Sequence, residues 1–377
     1  MEPLIITLVF SFFALMWFVQ MFYYVYVYSR LAFAKPGSME GDTSKPVSVV
    51  ICSRNEAQNL RKFLPKILEQ DYPDFEVLVV NDFSSDDTER VLKQLQEEYS
   101  NLRKFTLSQH LNFFKGKKFP LSLGIKSAKY DHLLLTDADC YPKTNKWLSE
   151  MMKHYRGNAE TEMVLGYGAY EKRKGLLNAL IRFETLKTAL QYFSYAMAGK
   201  PYMGTGRNLS YTKQLFFRVG GFVSHYNVPS GDDDLFVNKA AGKTNTALAF
   251  NKESHTLSQP NTTFTDWFKQ KSRHLTTGKY YKKSDKTWLG VDKISKTAFY
   301  GFFVLLMIFP PAVPFNWVVL GAFAVMIFMQ AFITQKAAQK LDEKNVGWWA
   351  PLLELFFVIF EPLWMLRSIM SKKNQWK

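Results

Sequence analysis

The sequence predicts an α/β catalytic domain, in which a mostly parallel sheet is flanked by helices, with transmembrane helices near both ends of the chain. Three observations carry this prediction. Strand patterns alternate with helical patterns between residues 45 and 260, which is typical of parallel βαβ units. One strand is a short apolar run with no polar alternation, as in sheets buried on both faces. The two ends of the chain carry long apolar runs instead.

The elements of the α/β part follow one another closely along the chain. Runs of β-branched and apolar residues predict strands over 47–53, 75–81, 103–107 and 133–136. Apolar residues at helical spacing, or polar residues that can cap a helix, predict helices over 57–70, 88–99, 121–129 and 235–241. Short connections between such elements favour parallel neighbouring strands.

The apolar runs at the ends are long enough to meet a membrane. The segment from Pro3 to Ser29 has no charged residue and can cross a bilayer as one helix. Two further runs, 298–309 and 317–333, flank a proline-rich turn and indicate a helical hairpin. A last run, 348–366, contains two glutamates, so that it either joins a tight bundle or lies in the interface.

Positive charges give the orientation of these segments. Lys and Arg cluster after the first apolar run, between residues 266 and 296, and after the third run. If the runs cross alternately, all three clusters lie on one side, which the positive-inside rule identifies as the cytoplasm. We therefore expect an integral membrane protein, in a bacterial inner membrane, with a cytoplasmic catalytic domain. Anionic lipid and a phosphorylated substrate account for the net charge of +15, and the sequence contains no nucleic-acid motif.

Two acids, Asp137 and Asp139, follow the strand over 133–136. Ligands of open α/β sheets bind beyond the carboxyl ends of the strands, where these side chains project. Paired carboxylates are costly there unless a cation or hydrogen bonds compensate them. Oxygen ligands suit Mg²⁺ or Mn²⁺ bridging to a diphosphate. An ordinary turn after a strand also favours Asp, so this stretch alone leaves both interpretations open.

Polar residues also follow the first two strands. Ser53, Asn55 and Glu56 come after the first strand, and Asn81 and Asp82 end the second. Carboxyl ends of neighbouring parallel strands meet at one edge of a sheet, so these residues can converge with the two acids. Asp82 is well placed for a ribose or a base edge, although an Asp at this position also caps helices.

Seven short motifs, in order along the chain, resemble those of glycosyltransferase family 2, whose catalytic domain has the GT-A fold. They are SVVICSRNEAQNL, VLVVNDFSSDDT, KGKKFPLSLGI, LLLTDADC, GTGRN with VGGF, SGDDDL, and the stretch over 260–274 that is similar to the QxxRW motif of membrane-integrated members. Three residues depart from the family pattern: Asn81 replaces an Asp, Ser122 replaces an Asn, and His274 replaces the Trp.

The resemblance implies inverting transfer of a sugar from a nucleotide-sugar donor, most often a UDP-sugar, and we expect a lipid or lipid-linked acceptor. It implies that Asp139, helped by Asp137, holds Mg²⁺ or Mn²⁺. Implied donor-binding residues are Ser53, Asn55, Glu56, Asp82, Lys117, Asp137 and Arg273. Residues implied on the acceptor or diphosphate side are Asn208, Asp232, Gln270 and His274. We assign Asp233 as the catalytic base, with Asp232 and Asp234 as alternatives, because a run of three acids leaves the register open.

Four parts and three functions follow from these observations. The parts are a transmembrane helix over 1–30, a GT-A catalytic domain over 45–260, an amphipathic interfacial segment over 261–297 and a transmembrane region over 298–377. Besides the lipid glycosyltransferase, the alternatives are a processive polysaccharide synthase and a non-catalytic nucleotide-binding membrane scaffold. The complete set of acids argues against the scaffold. His274 stacks on a sugar less well than Trp, which favours one sugar per encounter.

Overall fold

The computed structural model describes residues 3–35, 45–107, 116–155, 160–344 and 346–370, with the side chains of the last helix described to residue 364. The strands in these ranges are β1 Val47–Ser53, β2 Phe75–Asp82, β3 Leu102–Leu107, β4 His132–Leu135, β5 Cys140–Pro142, β6 Met163–Gly166, β7 Gly168–Tyr170, β8 Leu209–Thr212, β9 Thr246–Ala249 and β10 Thr256–Ser258.

The helices begin at the N-terminal end with α1 Pro3–Phe22, which continues through a π-helical segment, Tyr23–Tyr28, into α2 Ser29–Ala32. The catalytic part contains α3 Ala57–Leu68, α4 Thr88–Glu98, α5 Lys118–Ser127, α6 Trp147–Met152, α7 Leu176–Met197, α8 Lys213–Arg218 and α9 Asp234–Ala240. The C-terminal part contains α10 Phe264–His274, α11 Lys283–Ile308, α12 Phe315–Lys340 and α13 Ala350–Met370.

The main sheet has the strand order β3-β2-β1-β4-β8-β6-β9. Its neighbouring strands are parallel except at β8, which runs antiparallel to both β4 and β6. A smaller sheet has the order β5-β10-β7. The predicted α/β class, with a mostly parallel sheet and flanking helices, is therefore confirmed. Helices α10 to α13 follow the last strand along the chain.

Pairing around β1 brings the predicted site together. In the β1–β2 pair, Ser53 lies opposite Asn81, and on the other side of β1 Val50 lies opposite Leu135. The loops that follow β1, β2 and β4 therefore leave the sheet at the same edge. Apolar residues of these strands pack on both faces: Val47, Val49 and Ile51 face α3, α4 and α6, whereas Val50, Leu133 and Leu135 face α5 and α7.

Helix α5 begins three residues earlier than the sequence predicted, at Lys118 instead of Leu121. Pro120 gave the segment the pattern of a loop, but proline is tolerated in the first turn of a helix because that N–H has no helical partner. The preceding turn needs Gly116, whose φ is +91°. A Cβ atom there would lie 2.6 Å from the carbonyl oxygen of Pro229.

The terminal helices differ from the prediction in one respect. Among the described residues, the helices over Pro3–Ala32 and Phe315–Lys340 are long and apolar enough to cross a membrane. The apolar run over 298–309 largely forms the second half of α11, and the first half of that helix is polar. The predicted hairpin is present as α11 and α12, but of these two helices only α12 is long and apolar enough over its length to cross a membrane. The boundary predicted between residues 297 and 298 lies inside α11.

Buried ion pairs join the C-terminal part to the catalytic part. Arg182 on α7 donates two hydrogen bonds to Glu343, at 2.9 and 2.5 Å, in the loop that follows α12. The Tyr167 hydroxyl donates to the other Glu343 oxygen at 3.0 Å. Both side chains of the ion pair are less than 10% exposed, at 8% and 4%. Because a buried charge is costly without its partner, this pair fixes where the two parts meet.

Candidate active site

The loops after β1 and β2 are tied to each other by Asn55, whose φ is +56°. Its backbone N–H donates to the Ser84 hydroxyl at 3.0 Å, and its side-chain oxygen accepts from the Ser85 N–H at 2.8 Å. Asn and Asp adopt this left-handed conformation more readily than other non-glycine residues. Asn55 therefore shapes the rim of the site, and its donor-binding role stays a prediction.

Two other residues predicted from the β1 loop are engaged within the protein. The Ser53 hydroxyl donates to the Val80 carbonyl at 3.4 Å, and the residue is 1% exposed. The Ser53 side chain therefore supports the sheet edge, and its contact with the donor stays a prediction. The Glu56 carboxylate accepts from the Asn59 amide at 2.6 Å, and its backbone N–H donates to Thr88. Asp82, at the end of β2, is 9% exposed.

Lys117 is the central cation of the cleft. Its Nζ lies 2.8 Å from Asp137 Oδ1 and 2.9 Å from Asp232 Oδ2. One ammonium thereby joins the loop before α5, the acids after β4 and the acids before α9. Lys117, Asp137 and Asp232 line one cavity, together with Asp233 and Gly206. Four residues that the sequence predicted from separate motifs, Lys117, Asp137, Asp232 and Asp233, are therefore brought together.

The two acids after β4 differ in their surroundings. Burial acts to raise the pKa of Asp137, but Lys117, followed by Arg207 and Arg273, holds it below its usual value. The pKa of Asp139 is raised, first by desolvation in the cleft and then by the charge of Asp137. Like charges this close favour a bound cation, which would relieve their repulsion.

The chemistry of the donor atoms fits a hard divalent cation. Ligand atoms of Asp137, Asp139 and Cys140 lie within 4.8 Å of one another. The Cys140 thiol is fully buried and lies 2.9 Å from the Ser258 hydroxyl. Burial, and then Asp139 and Asp137, raises the pKa of this thiol well above its usual value, so that it stays protonated. Asp137 and Asp139 are therefore the residues that would hold Mg²⁺ or Mn²⁺, both of which prefer oxygen ligands.

The run of three acids at the start of α9 divides into three environments. The Asp233 oxygens accept hydrogen bonds from the backbone N–H groups of Gly206 and Asp234, both at 2.8 Å. Burial, followed by the charges of Asp232 and Asp234, raises the pKa of Asp233 to about 7. A carboxylate with such a pKa can exchange protons near neutral pH.

Asp234 has a structural role. One oxygen accepts from the Thr277 hydroxyl and, at 2.8 Å, from the Tyr281 hydroxyl, and the other accepts from the Leu235 N–H at 2.8 Å. The residue is 8% exposed. It anchors the start of α9 to the segment that follows α10, so that of the three acids Asp232 and Asp233 remain as candidates for the base.

The stretch that resembles QxxRW lies on α10, beside the same cleft. The Gln270 amide donates to the Tyr170 hydroxyl at 3.3 Å and accepts from the Asn261 amide at 2.8 Å. Arg273 is close enough to Asp137 to lower its pKa. His274 is exposed at the end of the helix.

Arg207 is a functional candidate that the sequence analysis missed. Its guanidinium lies over the Tyr170 ring, 4.3 Å from the centroid, and it donates to the Ser258 hydroxyl at 3.2 Å. Its charge acts on both Asp137 and Asp139. Arg207 lies within the GTGRN motif, next to the predicted Asn208, but the motif did not indicate which of the two side chains faces the cleft.

Asn208 itself faces the core, which contradicts its predicted place on the acceptor or diphosphate side. Its side-chain oxygen accepts from the Trp147 indole at 3.0 Å. Its amide donates to the carbonyls of Tyr167 and Ser254 at 3.0 and 2.7 Å. The residue is 0% exposed. Since these bonds use its oxygen and both N–H groups, Asn208 joins the two sheets and has no free group for a substrate.

Lys118 is a second residue that the sequence analysis missed, and it holds the loop before the acids in place. Its ammonium donates to the carbonyls of His225, Val228 and Ser230 at 2.8, 2.6 and 2.6 Å. Three bonds use all the donors of an ammonium, and the residue is 1% exposed. Lys117 therefore binds acidic side chains, whereas the next residue binds the backbone that leads to them.

We expect Lys118→Met to destabilise the protein by roughly 3 kcal/mol, because three buried carbonyls lose their donor. Thermal and denaturant unfolding measure the change. Lys126→Met is the matched control, since Lys126 lies on the same helix and is exposed. An equal effect of the two substitutions would contradict the structural role of Lys118.

Comparison with known proteins identifies a family for part of the chain. Residues 48–218 match the model of glycosyl transferase family 2. A poly-beta-1,6-N-acetyl-D-glucosamine synthase from Staphylococcus epidermidis is 28% identical over 132 residues, which cover 34% of this chain and 30% of that protein. A dolichyl N-acetyl-alpha-D-glucosaminyl phosphate 3-beta-D-2,3-diacetamido-2,3-dideoxy-beta-D-glucuronosyltransferase from Methanococcus voltae is 25% identical over 175 residues, which cover 45% of this chain and 49% of it. The matches thus span about a third to a half of these relatives.

A solved structure shares the architecture over most of the chain. It is a mannosyltransferase from Pyrobaculum calidifontis, in complex with GDP-Man and Mn²⁺, with a TM-score of 0.59. The similarity covers 90% of this chain and 99% of that one at 19% sequence identity, so it speaks to the fold. The family match over 48–218 and this architecture confirm the family resemblance: the chain carries a glycosyltransferase family 2 domain with the GT-A fold. The stretch over 260–274 that is similar to QxxRW lies outside the matched residues and stays a prediction.

Proposed function

We propose that this chain is a membrane-bound inverting glycosyltransferase that moves a sugar from a nucleotide-sugar donor to a lipid or lipid-linked acceptor. One observation carries the proposal: a single cleft holds the Lys117 ammonium between Asp137 and Asp232, with Asp233 lining the same cavity. A cation for a diphosphate, a pair of acids for a metal and a carboxylate with a pKa of about 7 are the parts that this reaction needs.

In the proposed reaction, the acceptor hydroxyl oxygen attacks the anomeric carbon on the face opposite the diphosphate. The bond between that carbon and the diphosphate oxygen breaks, and the configuration inverts. Asp233 takes the hydroxyl proton, and its two backbone hydrogen bonds hold the carboxylate in one orientation. Lys117, Arg207 and Arg273 neutralise the negative charge that the leaving diphosphate gains.

Asp139 and Asp137 would hold the divalent cation on the donor side of the cleft. When bound, the cation supplies Lewis-acid stabilisation of the leaving diphosphate. Support comes from the oxygen ligands and from the raised pKa of Asp139. The Pyrobaculum structure, which shares the fold, contains Mn²⁺. Asp82 would contact the base or ribose, while Asn55 and Glu56 would form the rim around it.

The donor and acceptor classes are supported by the relatives' names. The Methanococcus relative is named for a dolichyl phosphate-linked acceptor, which supports a lipid-linked acceptor here. We propose a UDP-sugar as donor. The Pyrobaculum structure contains GDP-Man, so GDP-sugars belong in any donor panel. Gln270 and His274, on α10, would lie toward the acceptor.

A second candidate function is a processive polysaccharide synthase, which the name of the Staphylococcus relative favours. The described residues contain two helices that are long and apolar enough to span a membrane, and a polymer channel within one chain would need more. His274 also has less apolar surface than Trp on which a growing chain could stack. We therefore keep single transfer as the leading proposal.

We also propose that the catalytic part faces the cytoplasm of a bacterial inner membrane. The support is the pair of apolar helices, Pro3–Ala32 and Phe315–Lys340, together with the Lys and Arg that follow each of them. The four-part division of the chain, with α10 as the interfacial helix, remains part of this proposal.

We expect Asp233→Asn to lower kcat by about 10²–10⁴-fold while donor affinity stays nearly unchanged, because the amide keeps the shape but accepts no proton. The wild-type rate should rise as pH increases through about 7, since the basic form is the carboxylate. Steady-state kinetics and calorimetric donor binding measure both. An active Asp233→Asn beside an inactive Asp232→Asn would move the base to Asp232.

We expect Asp139→Ala to lose most activity together with its response to Mn²⁺, because one of the two oxygen ligands is gone. Donor hydrolysis and transfer are measured in Mn²⁺ and in EDTA. Asp71→Ala, an exposed acid outside the cleft, is the control. Full activity of Asp139→Ala in EDTA would remove the metal from the proposal.

We expect a cysteine placed at Ser284 to be protected from an impermeant maleimide applied outside intact cells, because α11 begins on the cytoplasmic side. A cysteine at Val313, in the turn between α11 and α12, should react, since that residue is 73% exposed. The reverse labelling pattern would invert the orientation.

We expect a product with one added sugar on an acceptor that is extractable into organic solvent. Mass spectrometry of products made by the pure enzyme with excess donor provides the test. A ladder of additions would favour the polysaccharide synthase, and the absence of both transfer and donor hydrolysis across UDP- and GDP-sugars would favour the scaffold.

A further inference from the structure

A second cavity lies away from the active site, among the helices next to the membrane. Its walls come from the π-helical segment, α7, α11, α12 and α13. Its polar lining residues are Tyr24, Tyr28, Lys187, Gln191, Lys296, Gln330, Thr334 and Glu354. None of these residues lines the catalytic cavity. Ionisable groups in such a place are costly, so they mark a candidate site.

Two lysines converge in this cavity on one oxygen. Glu354 Oε1 lies 3.0 Å from Lys187 Nζ and 3.2 Å from Lys296 Nζ. The Glu354 side chain is 3% exposed and that of Lys296 is 11% exposed. A single carboxylate oxygen thus serves two ammonium groups. In the part of the chain that the structure describes, Glu354 is the acid that pairs with Lys296.

The ammonium groups retain capacity for another anion. Each can donate three hydrogen bonds. Lys187 has a second acidic partner, Glu361, at 3.1 Å, and Glu361 is itself shared with Lys293 at 3.0 Å. Three lysines therefore share two glutamates in this cluster. Asp292, an acid on α11 one turn before Lys296, accepts hydrogen bonds from Tyr28, Gln20 and Gln191, and it does not line the cavity.

The depth of the cavity matches a lipid headgroup. Tyr24 and Tyr28 lie near the end of the first apolar helix, and Gln330 and Thr334 lie in the second half of α12. Lys296 stands just before the apolar half of α11. All these positions lie at the end of the apolar segments that is rich in Lys and Arg, where tyrosines and headgroups meet in membranes.

We propose that this cavity binds the phosphate group of a membrane lipid, with Lys187 and Lys296 as its cationic ligands. Glu354 is then a competitor for the two ammonium groups, and Tyr24 and Thr334 offer hydroxyl groups to the phosphate oxygens. The inference rests on the membrane association proposed above. It is independent of sugar transfer, because a lipid can bind here whether or not it is the acceptor.

Binding is tested with full-length protein in detergent micelles, without donor. The probes are a polyisoprenyl phosphate, the matching polyisoprenol and inorganic phosphate, and the readouts are the melting temperature and lipid retention in native mass spectrometry. A ligand that binds the folded state raises the melting temperature. We expect the lipid phosphate to raise the melting temperature and to be retained in native mass spectrometry, and the other two probes to do neither. An equal shift with the polyisoprenol, or with inorganic phosphate, would overturn the proposal.

Three variants assign the effect to the cavity. Lys296→Met should weaken binding of the lipid phosphate about tenfold, the loss of one charge-assisted hydrogen bond. Lys286→Met is the matched control: Lys286 lies on the same helix, is exposed and belongs to none of these ion pairs, so that the affinity of this variant should equal that of wild type. Glu354→Gln should bind more tightly, because the competitor is neutral.

The gain expected from Glu354→Gln keeps the test informative even if Lys296→Met fails to fold. Unchanged affinity in a folded Lys296→Met, or weaker binding by Glu354→Gln, would overturn the proposal. Because no donor is present, failure of lipid binding is distinguishable from failure of the proposed transfer reaction, which is measured separately by product analysis.

Discussion

The active site depends on the two ion pairs of the Lys117 ammonium. It lies within 3 Å of both Asp137 and Asp232, at 2.8 and 2.9 Å, although these acids come from loops almost a hundred residues apart in sequence. Without it, the acids after β4 and before α9 would face one another with no cation between them, and their repulsion would open the cleft. The anionic donor of the proposed reaction would share this ammonium with two carboxylates. Arg207 and Arg273 provide the further positive charge that makes this sharing feasible.

Lys118, the residue after Lys117, explains how the loops around the cleft keep their positions relative to one another. Lys118 is fixed by three carbonyls of the loop that leads to Gly231, and Gly116 lies against Pro229 in the same loop. The start of α5 therefore holds both the side chains and the backbone of the acidic segment. At the other end of that segment, Asp234 bonds with Thr277 and Tyr281, so the position of Asp233 is determined from both sides.

The fold could be predicted from the sequence because the spacing of apolar residues indicates which side chains are buried. β1 has its predicted limits, Val47–Ser53, and the acids after β4 lie at the edge where parallel strands end. A short motif is a weaker guide to the direction in which a single side chain points. Ser53 and Asn208 lie within matching motifs, yet both face the protein interior, while Arg207, beside Asn208, faces the cleft. Lys118 was equally hidden, because its three acceptors are backbone carbonyls more than a hundred residues away and carry no sequence signal.

The same contacts place the acids relative to the membrane-proximal helices as well as to the sheet. Asn238, one turn beyond Asp234 on α9, donates to the Tyr202 carbonyl at 3.0 Å and to Asp285 at 2.8 Å, and accepts from the Lys282 N–H at 3.0 Å. The Tyr202 hydroxyl donates to Gln191, which lines the second cavity. Helix α9 is thus bonded to the start of α11 and, through Tyr202, to α7. The proposed function puts the acceptor in a membrane, so that the proposed base, Asp233, would need a defined height above it. The polar contacts of Asn238 would supply that height, because they bond the helix that follows Asp233 to the start of α11 and to Tyr202.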